Sequence, residues 1–346
     1  KVNPNIPEVF SNILAKLLEK NVENRYQSAN GLFTDLNKCK DQLALKIEIE
    51  GFTLAENDGS GQFKLPSKIY GRVDEIHALT ESIENIGSRK RQMTLVSGKS
   101  GTGKTSLIYE VYKPLTSKRG YFIKGKHQQF QKDRPYQAIT EALTNFVSLM
   151  LSENEQKLAH WKAIIQNALG EQGKLLTDLI PNLELVIGKQ EELPVLGINE
   201  AQNRFHYVFG QFINALASPE HPLVLFIDDL QWADSTSLKL IKQLLLDPEL
   251  DYFYFIGSYR DNEVLSSHPL SIIFKELPRL GVSIQEIHLK DLELDHVQDI
   301  VKDTFGSSDA RSRLLANIVY GKTAGNPFFV NQFLKSIYEN ELVWFE

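Results

Sequence analysis

Apolar residues in the middle of the chain fall in short, near-continuous runs separated by stretches of helical spacing. The runs predict strands at 92–97, 121–126, 223–228, 252–257 and 284–289. Helical periodicity fills the gaps, with a long helical insert from about 135 to 218 between the second and third strands. Apolar strands alternating with amphipathic helices predict an α/β fold, in which helices cover both faces of a parallel five-stranded sheet. After about residue 291 only helical spacing remains, in "ELDHVQDIVKDTF", "ARSRLLANIVYG" and "PFFVNQFLKSIYEN", which predicts a helical lid domain over 291–346.

The beginning of the chain has a different character. "PEVFSNILAKLLEKN" places Val9, Phe10, Ile13, Leu14, Leu17 and Leu18 on one helical face, and "QSANGLFTDLNKC" repeats the pattern more weakly. Residues 1–46 are therefore expected to be a short helical segment. Residues 47–67 hold the cluster Asn57-Asp58-Gly59-Ser60-Gly61 and read as a linker. The α/β domain is expected over 68–290. There is no fixed-period repeat and no low-complexity tract.

Composition narrows the picture. At 346 residues the chain is long enough for two domains, and 42% hydrophobic with 24% charged residues reads as a soluble, folded protein. Lys plus Arg total 38 against 44 Asp plus Glu, a net charge of -6, which argues against a chain built to coat nucleic acid. No apolar run approaches the ~18–20 residues of a membrane helix. Cys39 is the single cysteine, so no intramolecular disulfide can form, and a reducing cytoplasm is expected. The eight histidines are scattered without metal-ligand spacing. The chain opens at Lys1 without a methionine or a signal-peptide pattern and reads as part of something longer.

The first predicted strand runs into "GKSGTGKT", residues 98–105, which matches the phosphate-loop pattern G-x-x-x-x-G-K-[ST] at every defined position. Glycines at such a loop let backbone N–H groups turn inward around phosphate oxygens. Lys104 would bring its charge to the β- and γ-phosphates, and the Thr105 hydroxyl would ligate magnesium. The expected nucleotide contacts are Gly98, Lys99, Ser100, Gly101, Thr102, Gly103, Lys104, Thr105 and Ser106, with the helix that follows adding its positive end. The cofactors implied are ATP and Mg2+.

"HPLVLFIDDLQWAD", residues 221–234, is a buried strand ending in two acids. Beside a phosphate loop, Asp228 fits the metal-holding acid and Asp229 the group that orients the attacking water. Alone, the same pair would be an ordinary strand end and a solvated turn. Asp234 suits the N-cap of the next helix, and Trp232 a packing anchor. Arg260, ending the strand of "FYFIGSYRDNEV", either reaches the γ-phosphate or pairs at the surface with Asp261 or Glu263. Lys104, Asp229 and Arg260 are the catalytic candidates. In "TAGNPFF", Gly325 and Pro327 fit a helix C-terminus and the first turn of the next helix.

Taken together, Gly71-Arg72-Val73-Asp74-Glu75, GKSGTGKT, LVLFIDDLQWAD, GSYRDNE and GNPFF resemble the AAA-type ATPase module of the STAND class of signal-transduction P-loop NTPases. "FKLPSKIYGR", "RGYFIKGKHQQFQ" and "EAQNRF" are similar to that module in large bacterial hybrid sensors of cyanobacterial type. There a serine/threonine kinase domain precedes the module, and GAF and histidine-kinase domains follow it. The resemblance implies that Gly71, Arg72 and Pro327 approach the adenine and that Arg260 senses the γ-phosphate. The Asp-Asp pair departs from the Asp-Glu of many AAA ATPases, which argues against fast hydrolysis. The resemblance supplies no arginine finger. "LLEKNVENRYQSANGLFTDL" is similar to the last helices of a protein-kinase large lobe, the alternative being a plain helical hairpin.

The function expected is a nucleotide-driven switch that binds ATP-Mg, hydrolyses it slowly and reports to other signalling domains of the same parent chain. Nucleotide-dependent self-association is a further expectation, and no nucleic-acid partner is expected. The alternative is a scaffold whose nucleotide is never turned over. A working protein kinase is disfavoured because no HRD, DFG or APE run occurs. A DNA-remodelling ATPase is disfavoured by the charge balance.

Overall fold

In the strand that ends at Asp228, every residue from Leu223 on is buried, and alternate side chains serve opposite faces of the sheet. The strands Gln92–Gly98 and Phe253–Tyr259 are buried almost throughout in the same way, while Tyr121–Lys126 and Ser283–Leu289 at the sheet's edges are only partly buried. The computed structural model describes residues 7–19, 25–26, 28–44, 51–55, 63, 65–87, 92–129, 135–306, 308–340 and 342–343. The chain divides into two units. The larger holds residues 69–292 with 326–328, and the smaller holds 1–68, 293–325 and 329–346.

In chain order the elements of the smaller unit's first part are α1 (Glu8–Leu17) and α2 (Ala29–Ala44). The larger unit then runs α3 (Val73–Glu84), β1 (Gln92–Gly98), α4 (Lys104–Tyr109), α5 (Tyr112–Ser117) and β2 (Tyr121–Lys126). An insert follows, made of α6 (Gln137–Leu151), α7 (Glu155–Leu169), α8 (Lys174–Leu179), α9 (Glu184–Ile187) and α10 (Ile198–Leu216). The sheet resumes with β3 (Leu223–Asp228), α11 (Ser235–Leu246), β4 (Phe253–Tyr259), α12 (Pro269–Glu276) and β5 (Ser283–Leu289). Last come α13 (Leu294–Phe305), α14 (Asp309–Thr323) and α15 (Pro327–Glu339).

All five strands are parallel, in the order β2-β3-β4-β1-β5. Met93, Leu95, Leu225, Ile227 and Phe255 face the insert helices and α11 in one apolar cluster. Val96, Val224, Phe226, Ile256 and Ile287 face α3, α4 and α5 in the other. The strand expectations hold, with β1 and β4 running slightly further than the apolar pattern. The register pairing Ser97 with Tyr259 extends the ladder past the last apolar residues. Parallel order brings the carboxyl ends of β1, β3 and β4 to one edge, where open α/β sheets bind ligands.

β2 packs tightly on α6. A Cβ on Gly125 would lie 1.8 Å from the backbone oxygen of Ala138, and neither backbone can yield cheaply. Gly125→Ala is therefore expected to destabilise the domain by about 1–3 kcal/mol, the usual range for overpacking, read as a lowered urea midpoint with an unchanged slope.

In the smaller unit, Val9 and Ile13 of α1 and Cys39 of α2 form a small cluster with Phe10, Leu17, Leu32, Phe52 and Leu54 around them. One expectation is corrected here. Leu14 and Leu18, assigned to the same apolar face, are 58% and 79% exposed. Measured round the helix from Val9, the packed Ile13, Leu17 and Phe10 lie within about 100°, while Leu14 and Leu18 fall at about 140° and about 180°, beyond the packed stripe. Cluster residues 57–61, most of the linker 47–67 and positions 1–6, 20–24, 27 and 45–46 of the first segment lie outside the described residues. The helices after 291 form as expected. Lys302 pairs with Asp309 at 2.7 Å, and Arg313 pairs with Asp295.

Candidate nucleotide site

The loop between β1 and α4 has the backbone its sequence requires. Gly103 caps α4 at φ +90°, a conformation that a Cβ would strain although space around it is open. Lys104, the first residue of α4, is 8% exposed, and its Nζ donates to the carbonyls of Gly98 and Lys99 at 2.8 Å each. The Thr102 hydroxyl donates to the Lys99 carbonyl at 2.9 Å. Burial pushes the Lys104 ammonium below its usual pKa, opposed by the carboxylates of Asp228 and Asp229. Thr105 is half-buried, and Ser106 faces outward on the first turn of α4.

β3 delivers the two acids. Asp228 Oδ2 accepts from the Thr105 hydroxyl at 3.2 Å, so the two expected metal ligands meet across the sheet edge. Its Oδ1 accepts from the Ser258 hydroxyl of β4 and from the Asp229 amide, the latter at 3.0 Å. Asp229 sits at φ +56°, a left-handed position that Asp tolerates better than most residues. Its two carboxylate oxygens are both engaged. Oδ1 accepts from the Gln231 amide at 2.9 Å and lies 3.6 Å from the Arg260 Nε, while Oδ2 lies 3.2 Å from the Lys126 Nζ.

Arg260 takes the surface pairing named among its alternatives and also turns toward the paired acids. It pairs with Glu263 at 2.7 Å, stacks 4.9 Å over the Trp232 ring and faces Asp229. Trp232 thus supports a cation at the site's edge. Asp234 caps α11 by accepting from the Thr236 and Ser237 amides at 2.9 and 2.8 Å. Arg72 is 7% exposed, and its guanidinium is committed to the Lys290 carbonyl and, at 3.5 Å, to Glu75. Gly71 stands beside it at φ +62°. Pro327 opens α15 half-buried, and Ala324 and Gly325 before it are both left-handed.

Four residues that contact this site were not singled out by sequence. Lys126 ends β2 and lies in register with Asp228, 3.7 Å from its Oδ2 as well as touching Asp229. Burial lowers its pKa, but the Asp229 hydrogen bond and both carboxylates more than reverse this, so the net shift is upward. Gln231 ties Asp229 to the Arg260 amide, which donates to its Oε1 at 3.2 Å. Ser258 completes the Asp228 shell. Asn326 donates to the Ser100 carbonyl at 3.0 Å and to Asp291 at 3.1 Å. Only strand order could have exposed Lys126 and Ser258. The run "GNPFF" was the available signal for Asn326.

The donor set fits a magnesium nucleotide. Mg2+ takes one or two protein oxygens and completes its shell with phosphates and water, which Thr105 and Asp228 satisfy. Among the described residues no cluster of three His, Cys, Asp or Glu suits a metal held by protein alone. A parallel sheet of order β2-β3-β4-β1-β5, a glycine loop entering α4 and paired acids on β3 define a P-loop NTPase of the α/β class. The family model described as "AAA ATPase domain" matches residues 68–256, more than half of the chain, and the chain belongs to that family.

Curated relatives are histidine kinases. The chain is 30% identical to hybrid signal transduction histidine kinase G of Dictyostelium discoideum, covering 99% of this chain and 12% of that one. It is 22% identical to the peroxide stress-activated histidine kinase mak3 of Schizosaccharomyces pombe, covering 99% and 18%. The chain therefore spans less than a fifth of either relative's length. Among solved structures, the Walker-type ATPase paby2304 of Pyrococcus abyssi matches at TM-score 0.44 and 16% identity, covering 82% of this chain and 78% of that one. Cdc6p of Pyrobaculum aerophilum matches at 0.44 and 14%, covering 80% and 65%. No helix among the described residues is long and apolar enough to cross a membrane.

Proposed function

We propose that this chain binds ATP with magnesium and hydrolyses it slowly, serving as a nucleotide-dependent switch of the STAND kind within a longer signalling protein. The observation that carries the reading is the 3.2 Å contact between Thr105 and Asp228 beside a loop whose lysine is already buried in place. Bound Mg2+ would neutralise charge on the phosphates. Lys104 would hold the β- and γ-oxygens, and Arg260 would meet the γ-phosphate from the end of β4. Asp229 would orient the water that attacks the γ-phosphorus and accept its proton, with ADP and inorganic phosphate as products. Slow turnover is supported by the state of Asp229, both of whose oxygens are held by Gln231, Arg260 and Lys126. Both oxygens are occupied by those partners, so water can approach the carboxylate only when the contacts open.

The histidine-kinase relatives support a place among other signalling domains of one parent chain. The "ENRYQSA" run supports reading residues 1–46 as the end of a preceding protein-kinase domain, with residues 47–67 as the linker. Single-turnover hydrolysis of radiolabelled ATP, with the stoichiometry of bound nucleotide, tests the proposal. One nucleotide per chain and slow release of phosphate are expected. Stoichiometric binding with no hydrolysis would leave the scaffold alternative, and no binding would remove both.

A further inference from the structure

The outer arc of the phosphate loop is gripped by residues more than two hundred positions away in sequence. Asn326, 8% exposed, donates from Nδ2 to the Ser100 carbonyl at 3.0 Å, and the Phe328 amide donates to the Gly101 carbonyl at 3.2 Å. The second Nδ2 hydrogen reaches Asp291 Oδ1 at 3.1 Å, so both donors of the carboxamide are used. Asp291 Oδ2 in turn faces the Lys99 ammonium at 3.9 Å. Asp291 thereby fixes that the nitrogen, not the oxygen, of the Asn326 carboxamide meets the Ser100 carbonyl. The fit is close: a Cβ on Gly101, which sits at φ +82°, would lie 2.5 Å from Asn326 Oδ1.

Peptide geometry turns this grip into a functional statement. No cis peptide bond occurs among the described residues, and in a planar trans unit the N–H points opposite to the C=O. With the carbonyls of Ser100 and Gly101 drawn towards 326–328, the amides of Gly101 and Thr102 must point to the other side of the loop. Inward-facing successive amides are what an anion nest needs. The geometry points to Asn326 as a positioning residue that pre-aims the Gly101 and Thr102 amides at the phosphates. It does not touch the nucleotide in this role. Asn326 also leads directly into α15, so the same hydrogen bonds link the loop's shape to the start of that helix, and phosphate binding and the conformation of residues 326–328 must influence each other reciprocally.

This inference rests on the nucleotide reading, and the test separates the two. ATP is titrated into the wild-type chain and into Asn326→Ala, and amide hydrogen exchange is followed in both at saturating ATP. The expected result is a roughly fivefold to tenfold loss of affinity, the scale of one lost hydrogen bond. Faster exchange at Gly101 and Thr102 should accompany it, with β3 amides unchanged. Failure of the wild type to bind ATP overturns the nucleotide reading and this inference together. Wild-type binding with unaltered affinity and exchange in Asn326→Ala overturns the inference alone. If the alanine variant does not fold, Asn326→Ser, too short to reach Ser100, is read by the same criteria. General loss of protection in both variants also overturns it, since Asn326 would then serve the fold rather than the loop.

Discussion

Asp229→Asn is expected to lower single-turnover ATP hydrolysis by about 10²–10⁴-fold, the scale of a lost general base, while leaving ATP affinity nearly unchanged. The substitution preserves shape and one acceptor oxygen, so the Gln231 amide retains its partner. What disappears is the negative charge that would polarise water and that now faces Lys126 and Arg260. Equal residual turnover in wild type and variant would remove Asp229 from the chemistry and favour the scaffold alternative. The expected separation is between binding, which Lys104 and the loop would supply, and turnover, which needs the free carboxylate.

Lys104→Ala is expected to weaken ATP binding by at least about tenfold, or 1.4 kcal/mol, in a titration with a fluorescent ATP analogue. Lys104 is nearly buried, and its ammonium is already fixed by two loop carbonyls at 2.8 Å, so little side-chain freedom remains to be lost on binding. Its depressed pKa has the burial of its charge as cause, and a polyanion would relieve that penalty. Unchanged affinity in a folded variant would overturn the phosphate-loop assignment.

Much of this was legible in the chain because the signals are local. The strand at 223–228 declared itself by an unbroken apolar run, and its observed bounds are the same. The loop 98–105 needed only its own residues and the strand before it, since glycine conformation and the placement of Lys104 are set within one turn of chain. Asp234 was recognisable as a cap because capping involves residues two and three positions on. The first helix was read less well. Spacing alone assigned Leu14 and Leu18 to the packed face, although helical spacing cannot say how wide that face will be.

What the sequence by itself determined was the fold class, the phosphate loop and the identity of the two acids, each carried by a pattern short enough to be read along the chain. Tertiary structure decided which side chains surround them. Lys126 meets Asp229 only because β2 lies beside β3, and Ser258 meets Asp228 only because β4 lies on the other flank. Asn326 reaches the loop from 226 residues away, a separation across which no periodicity speaks. Strand order follows from how the helices cover both faces of a twisted sheet, a property of the whole domain rather than of any segment. The residues of the candidate site are thus written locally, while the contacts that engage Asp229 and grip the loop arise only when segments distant in sequence are laid side by side.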